Sequence, residues 1–507
     1  MNLPLTRSAE PEGSALLTDG PSSIGRTTRG ARTTPRVVVH WTIEPFHIAI
    51  PVTIGIVLWR TARPISDIDI FWHSLIGEQI RRTHGFQSLG VSWSLYDDHN
   101  TWRTTQWLSE VAISAVRQAG GWDGIVAVRG ILGAIFLVGL AAVIVGHRPA
   151  RASGPIFLAS ALPAGVFIRD RPELFSAIFL LWLAKVLYEV IAAGRGPNWK
   201  IVLIVTAVWA NFHGYWITVP LFLGVLAGSR TISGWRRHDI RVDMWGPTLA
   251  ALAGGCFNPD GVKGIYSVIA FRDAPDWLDE WQRTTLTTNY AFCLFLIVIA
   301  VVVAWARSSQ KISVDEIAIV TSVFVFALLS ARNVGVSAVL IGPLAAYRVA
   351  RHWPGRSPVG RGEARLLAFV ATAACLVALG STAVAYADLQ PLSATQVPHI
   401  AEYLATIDKP VRVFNEYNLA GPLLVNGNTN VKLAIDGRFD RFDPDYRTMV
   451  ITAVTEPARW SQVEERLRPE FAVIGSATPL AHQLTKHYGW RPVLVDGKFS
   501  LLAAPSD

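Results

Sequence analysis

Ile48-Ala49-Ile50-Pro51-Val52-Thr53-Ile54-Gly55-Ile56-Val57-Leu58-Trp59 is followed within ten residues by Asp67-Ile68-Asp69-Ile70-Phe71-Trp72-His73. The first string is an apolar run long enough, with its flanks, to enter a bilayer. The second places two carboxylates just beyond the end of that run. A membrane span needs about 20 mostly apolar residues. The 507-residue chain is 51% hydrophobic and only 17% charged, with a mean hydropathy of +0.33. That leaves too little polar surface to close a soluble globule of this size.

Working outward, the loop charges alternate. Arg26, Arg29, Arg32 and Arg36 precede the first span, 46–62, and the positive-inside rule puts them in the cytoplasm. Residues 1–43, rich in Ser, Thr, Gly and Arg, read as a disordered cytoplasmic tail without the features of a signal peptide. Further spans are expected at 124–146, 155–168 and 174–193. The long apolar stretch 201–228 is broken by Asn211-Phe212-His213-Gly214, and 317–347 is broken by Arg332-Asn333, so each reads as a hairpin. With spans near 244–257, 288–306 and 366–387, about eleven result. The arginine clusters Arg148/Arg151, Arg230/Arg236/Arg237/Arg241 and Arg348/Arg351/Arg356 then all face the cytoplasm. The net charge of +8 is accounted for by this topology, and no nucleic-acid partner is implied. Cys256, Cys293 and Cys375 lie in apolar segments and read as small hydrophobes.

The expected organisation is therefore a tail (1–43), a polytopic helix bundle (44–387) with a long outer loop at 63–123, and an extracytoplasmic α/β domain (388–507). Strands are expected at 411–417, 431–435, 471–474 and 492–495, with helices at 398–407 and 460–467. The protein would be a multi-pass protein of the plasma membrane.

This topology, drawn from loop arginines, leaves the unusual ionisable residues on one face. Asp67, Asp69, His73, Glu110, Arg169, Asp170, Arg171, Glu173, His213, Glu280 and Arg332 all fall at or near outer span ends. Capping the helix expected at 68–82 needs one carboxylate, and two are present. A carboxylate can take a proton from an acceptor hydroxyl, and Arg169, Arg171 and Arg332 can meet phosphate oxygens in pairs. His213 can donate to phosphate or acceptor, or serve structurally through a carbonyl. Trp72, Trp93, Trp102, Trp107 and Trp122 share the loop with the acidic pair, where indole faces suit sugar rings as well as the membrane interface. Asp67 and Asp69 could alternatively hold Mg²⁺ or Mn²⁺.

At these residues the chain resembles the GT-C superfamily of polytopic glycosyltransferases, which carry one or two acidic residues in the first extracytoplasmic loop. The string from Asp67 to Glu78, with Trp107-Leu108-Ser109-Glu110, is similar to a bacterial branch with an Asp-x-Asp-x-Trp-Trp-His-Leu pattern. Phe71 stands where Trp is usual. Further blocks match that branch at Arg171-Pro172-Glu173, Asn211-Phe212-His213-Gly214, Asn258-Pro259, Glu280-Trp281, Arg332-Asn333, Asn415-Glu416-Tyr417 and Asp436-Gly437-Arg438. The resemblance implies sugar transfer from a polyprenyl phosphate-linked donor to a glycan, lipid or protein acceptor. Asp67 and Asp69 would be the acidic pair, and His73, Trp72, Trp107, Glu110, Arg169, Arg171, Glu173, His213 and Arg332 would surround the substrates. Asp436 and Arg438 could touch the acceptor, or form a turn with a local salt bridge. A flippase for a lipid-linked glycan and a non-catalytic envelope assembly protein are the competing classes.

Overall fold

Helix α1 (Pro45–Thr61) opens the folded part of the chain, and α2 (Asp69–Thr83) follows the acidic pair. Together with the rest they form a computed structural model that describes residues 45–96, 102–146, 152–236, 238, 242–265, 281–352, 361–393, 395–425 and 430–505. The expected N-terminal tail, Glu280 and the loop residues Arg148, Arg151, Arg237, Arg241 and Arg356 lie outside the described residues.

Next come α3 (Trp107–Val145), α4 (Ser153–Ala164), α5 (Glu173–Ala193), α6 (Trp199–Trp209), α7 (Thr218–Arg236) and α8 (Trp245–Gly255). The bundle closes with α9 (Ala291–Ala306), α10 (Val314–Leu329), α11 (Asn333–His352) and α12 (Arg361–Ala387). Each apolar run read from the sequence is thus a helix. Among the described residues, four helical stretches, beginning at Trp107, Glu173, Gly214 and Asn333, are long and apolar enough to cross a membrane alone. Helices α6 and α8 have eleven residues each. They rise only about 16 Å, roughly half of a hydrocarbon core, so the apolar segments are not equal crossings. The chain is a multi-pass membrane protein of mainly α class.

Helix α11 runs through the middle: Val334, Val336, Ala338, Val339, Leu340, Ile341, Leu344 and Ala345 are all buried in one core with α3, α4, α5 and α9. Helix α3 bends at Gly120-Gly121, where Gly121 adopts φ +61°. Only the part after this bend was expected to span.

Both polar breaks close helix ends, where carbonyls would otherwise lack partners. Asn211 Nδ2 donates to Ala207 O (2.7 Å) and Phe257 O (2.6 Å), and Asn333 Nδ2 donates to Phe326 O (3.0 Å). At the opposite ends of these helices, Arg230 pairs with Asp243 and with Asp315 (2.9 Å), and Arg348 with Glu316. Two arginines read as loop charges are therefore held in ion pairs between helices.

After α12 the chain forms a mixed α/β layer. It contains α13 (Pro398–Ala405), β1 (Val411–Asn415), α14 (Ala420–Leu423), β2 (Val431–Leu433), α15 (Pro444–Thr452), α16 (Trp460–Leu467), β3 (Phe471–Gly475), α17 (Pro479–His487), β4 (Arg491–Asp496) and β5 (Phe499–Ala503). The sheet order is β2-β1-β3-β5-β4, with β1 parallel to β2 and β3, and β5 antiparallel to β3 and β4. This layer does not pack only upon itself. Trp72, Leu75, Ile76 and Ile80 of α2, with Leu89 and Trp93 beyond it, are buried against Val411, Val413, Leu419, Leu423, Val431 and Leu433. The loop that carries the acidic pair and the C-terminal sheet thus share one core.

Candidate active site

The segment Asp67-Ile68-Asp69 is gripped from two sides by glycines of the C-terminal layer. A Cβ on Gly421 would lie 1.8 Å from Ile68 O, and one on Gly437 would lie 2.1 Å from Asp69 Oδ1 and 2.5 Å from Trp72 Nε1. Only residues without a side chain fit at these approaches. Asp67 Oδ1 accepts from Asp69 N (3.1 Å), which sets the turn into α2. Asp69 Oδ1 accepts from Trp72 Nε1 (3.0 Å), one helical turn on, and its Oδ2 meets Arg171 Nη2 at 2.8 Å. The Nε edge of Arg171 pairs with Asp67 Oδ2. One guanidinium therefore bridges both carboxylates, a charge-assisted fork of the strong kind.

Arg171 stands in the turn between α4 and α5, and that turn is itself braced. Arg129, buried on α3, donates to Asp170 Oδ2 (2.6 Å) and to Arg63 O (2.5 Å). One residue further on than Pro172, Glu173 Oε1 pairs with Arg332 Nη2 at 2.8 Å. The Arg332 guanidinium also donates from Nε to the Tyr215 hydroxyl (3.1 Å) and lies 4.6 Å from the Trp281 ring centroid.

These groups surround a cavity of about 570 Å³ between the bundle end and the C-terminal layer. From the bundle come Asp69, Trp72, His73, Arg171, Glu173, His213, Tyr215, Trp281 and Arg332; from the C-terminal layer come Tyr417, Asn418, Gly437, Arg438, Phe439 and Asp440. The latter follow the carboxyl ends of the parallel strands β1 and β2, where open α/β sheets place ligands.

No protein-family model and no curated protein matches the chain. Solved structures do. The crystal structure of the Archaeoglobus fulgidus oligosaccharyltransferase, tethered with an acceptor peptide containing the NVT sequon via a disulfide bond, is 10% identical. The match covers 85% of this chain and 69% of that one, with a TM-score of 0.53. The chain has the GT-C fold. A second GT-C structure, ArnT from Cupriavidus metallidurans bound to undecaprenyl phosphate, is 15% identical over 90% of this chain and 99% of that chain, at a TM-score of 0.46.

Within this GT-C architecture the other expected residues sort by position. His73 lines the cavity, and its Nδ1 lies 2.9 Å from Glu110 Oε1, with both side chains buried. Burial, and after it the charge of Arg171, holds the imidazole well below its ordinary pKa, so it is neutral at pH 7. Glu110 stands behind His73, away from the cavity wall. His213 Nδ1 accepts from Tyr215 N (3.3 Å) at the start of a short turn of 3₁₀-helix, which assigns the ring proton to Nε2 in the neutral form.

Trp107 does not line the cavity. Its Nε1 donates to Asn211 Oδ1 (2.5 Å), while Leu108 N donates to Asn211 O (3.0 Å) and Ser109 Oγ to Phe212 O (2.5 Å). The two sequence blocks are stitched together, and this seats His213. Arg169 also does not line the cavity: its Nε donates to Val166 O (2.7 Å). Asp67 borders a neighbouring cavity rather than this one. Asp436 is buried beneath Arg438, whose Nε donates to it at 2.9 Å while Nη1 donates to Leu89 O (2.9 Å) and Nη2 to Gly90 O (3.1 Å). Burial alone would lift the Asp436 carboxyl, but the charge and hydrogen bonds of Arg438 outweigh it and hold the group below its usual range. Trp93 and Trp102 flank the same guanidinium, with centroids 5.1 and 5.3 Å away.

The facing oxygens of Asp67 and Asp69 are taken by one guanidinium, and no group of three His, Cys, Asp or Glu side chains able to hold a metal occurs among the described residues. Residues without a prior expectation also appear. Asp440 lines the cavity, and burial raises its carboxyl above the usual range. Asn418, Thr104 and Gln106 join it. Only the closeness of Asp440 to Asp436-Gly437-Arg438 could have pointed to it.

Proposed function

We propose that the protein is a membrane glycosyltransferase. It moves a sugar from a polyprenyl phosphate-linked donor to an acceptor on the extracytoplasmic face. The observation that carries this reading is the convergence of Asp69, Arg171, His213 and Arg332 on one cavity with Trp72, Tyr215 and Trp281 in its walls. Fold alone does not define an activity. That a protein of the same fold is an oligosaccharyltransferase makes sugar transfer the chemistry to test first.

In the transfer step an acceptor oxygen attacks the anomeric carbon of the donor. The bond from that carbon to the phosphate oxygen breaks, and its electron pair leaves with the polyprenyl phosphate. The acceptor proton passes to a carboxylate of the Asp67/Asp69 pair. Arg171 and Arg332, each fixed by carboxylates, and the Nε2–H of His213 are placed to meet the growing phosphate charge. Pre-oriented donors of this kind contribute about 3 kcal/mol each to transition-state stabilisation. The indole and phenol faces suit a sugar ring.

The test is donor consumption and product formation with a panel of polyprenyl phosphate sugars, using wild type, Asp67→Asn and Asp69→Asn at matched expression. Loss of transfer in at least one variant is expected. Full transfer by both variants, or no donor consumed by wild type, would overturn the proposal.

A further inference from the structure

Asp67 and Asp69 differ in what they face. Asp69 lines the 570 Å³ cavity, whereas Asp67 lines a second cavity of about 420 Å³ on the other side of the segment. Ile68, Arg171 and Asn418 border both and form the partition. The remaining polar wall of the second cavity comes from Ser66, Gln396, Glu416 and Lys498.

These donors and acceptors are spread over separate segments. Glu416 follows β1 and is fixed by accepting from Gly475 N at 2.6 Å, at the carboxyl end of β3. Lys498 sits on the β4–β5 turn, 5.2 Å from the ring centroid of Phe499. Gln396 precedes α13. Two carboxylates, two amides, a hydroxyl, an ammonium, the edge of the Arg171 guanidinium and one aromatic ring form the set that vicinal hydroxyls on a sugar ring satisfy, by accepting and donating at adjacent oxygens. An isoprenoid chain would leave these groups without partners, which is costly.

We propose that this second cavity is the acceptor site and that it binds a carbohydrate, whose reacting hydroxyl meets Asp67 and reaches the donor at the shared border of Ile68, Arg171 and Asn418, where the two cavities adjoin. The assignment rests on the transferase reading and divides the acidic pair: Asp67 takes the acceptor proton, and Asp69 stays with Arg171 and Trp72 on the donor side.

The test uses the full-length protein in detergent on immobilised neutral and anionic oligosaccharides, with an immobilised peptide panel alongside. Glu416→Gln keeps a carbonyl oxygen for Gly475 N, and Lys498→Gln replaces the ammonium by a neutral amide on a shorter stem. Wild type is expected to be retained on at least one carbohydrate. Each of the two variants should lose tenfold or more, while Arg332→Gln, in the other cavity, should bind as wild type does. No carbohydrate retention, retention unchanged in both variants, or variant-sensitive retention on peptides instead would overturn the proposal. Donor hydrolysis without acceptor reads the first cavity separately. If wild type hydrolyses no donor yet keeps variant-sensitive carbohydrate binding, the transferase reading fails and the carbohydrate site stands.

Discussion

Replacing Gly437 by Ala tests whether the C-terminal layer sets the geometry of the acidic pair. The new Cβ would lie 2.1 Å from Asp69 Oδ1, against about 3.4 Å for ordinary contact, so something must yield by about 1.3 Å. The contacted atoms are not the loose end of a long side chain. Asp69 is held by Trp72 Nε1 at 3.0 Å and Arg171 Nη2 at 2.8 Å, so displacement breaks or bends a charge-assisted hydrogen bond. Overpacking of this kind costs ~1–3 kcal/mol of stability. Asp69 shares the Arg171 guanidinium with Asp67, and misplacing such a site group by about 1 Å can cost a factor of ~100 in rate, or ~2.7 kcal/mol of barrier. The expected result is donor consumption reduced about a hundredfold, with a cooperative melt at a modestly lower midpoint. The assay pairs turnover of the best donor in the panel with thermal unfolding in detergent. A Gly437→Ala protein that turns over within twofold of wild type would refute the idea that this backbone positions Asp69.

Arg171→Gln leaves two neighbouring, partly buried carboxylates without their shared cation; the cost stays below the ~3 kcal/mol of a fully buried pair and is read as a lowered melting midpoint together with lost transfer. Asp67→Asn in the Arg171→Gln background should recover part of that midpoint by removing one of the repelling charges. Arg438→Met strands Asp436, frees Leu89 O and leaves Gly90 O with Arg441 alone, so limited proteolysis is expected to cut between the first outer loop and the C-terminal layer sooner than in wild type. For His73, the unfolded imidazole takes a proton near 6.5 while the buried one resists until lower pH, so stability falls as pH drops below 6.5. Melts across that range should show the slope, and His73→Gln should flatten it. Trp107→Phe loses the bond to Asn211 Oδ1 and costs ~1 kcal/mol, measurable in the same melts.

The sequence made the bundle legible because bilayer thickness imposes a length on every apolar run, and the breaks at Asn211 and Arg332 carried the polar atoms that close helix ends. Helix α2 and four of the strands followed from periodicity. Strand β5 was not anticipated, since Phe499-Ser500-Leu501-Leu502-Ala503 is short and follows directly on the β4 turn. In the site, the acidic pair stood out locally, but that Arg171 lines the cavity with it while Arg169 donates to Val166 O is settled only by tertiary packing. Whether Arg438 faces a ligand or the carbonyls of Leu89 and Gly90 depended on atoms about 350 residues earlier in the chain. Asp440, Asn418 and Gln106 gained their place only through tertiary packing, which residue spacing does not encode.

The hydrophobic core shared by α2 and the C-terminal sheet imposes an order on synthesis. Leu89 and its Arg438 partner are 349 residues apart, so at ~5–20 residues per second the early half of that core waits ~17–70 s for the late half. During that interval Trp72, Leu75, Ile76 and Ile80 have no sheet to cover them. Nascent chains stalled before β1 should therefore be sticky and protease-sensitive in this early loop, and insertion would depend on a holding factor until the ribosome finishes.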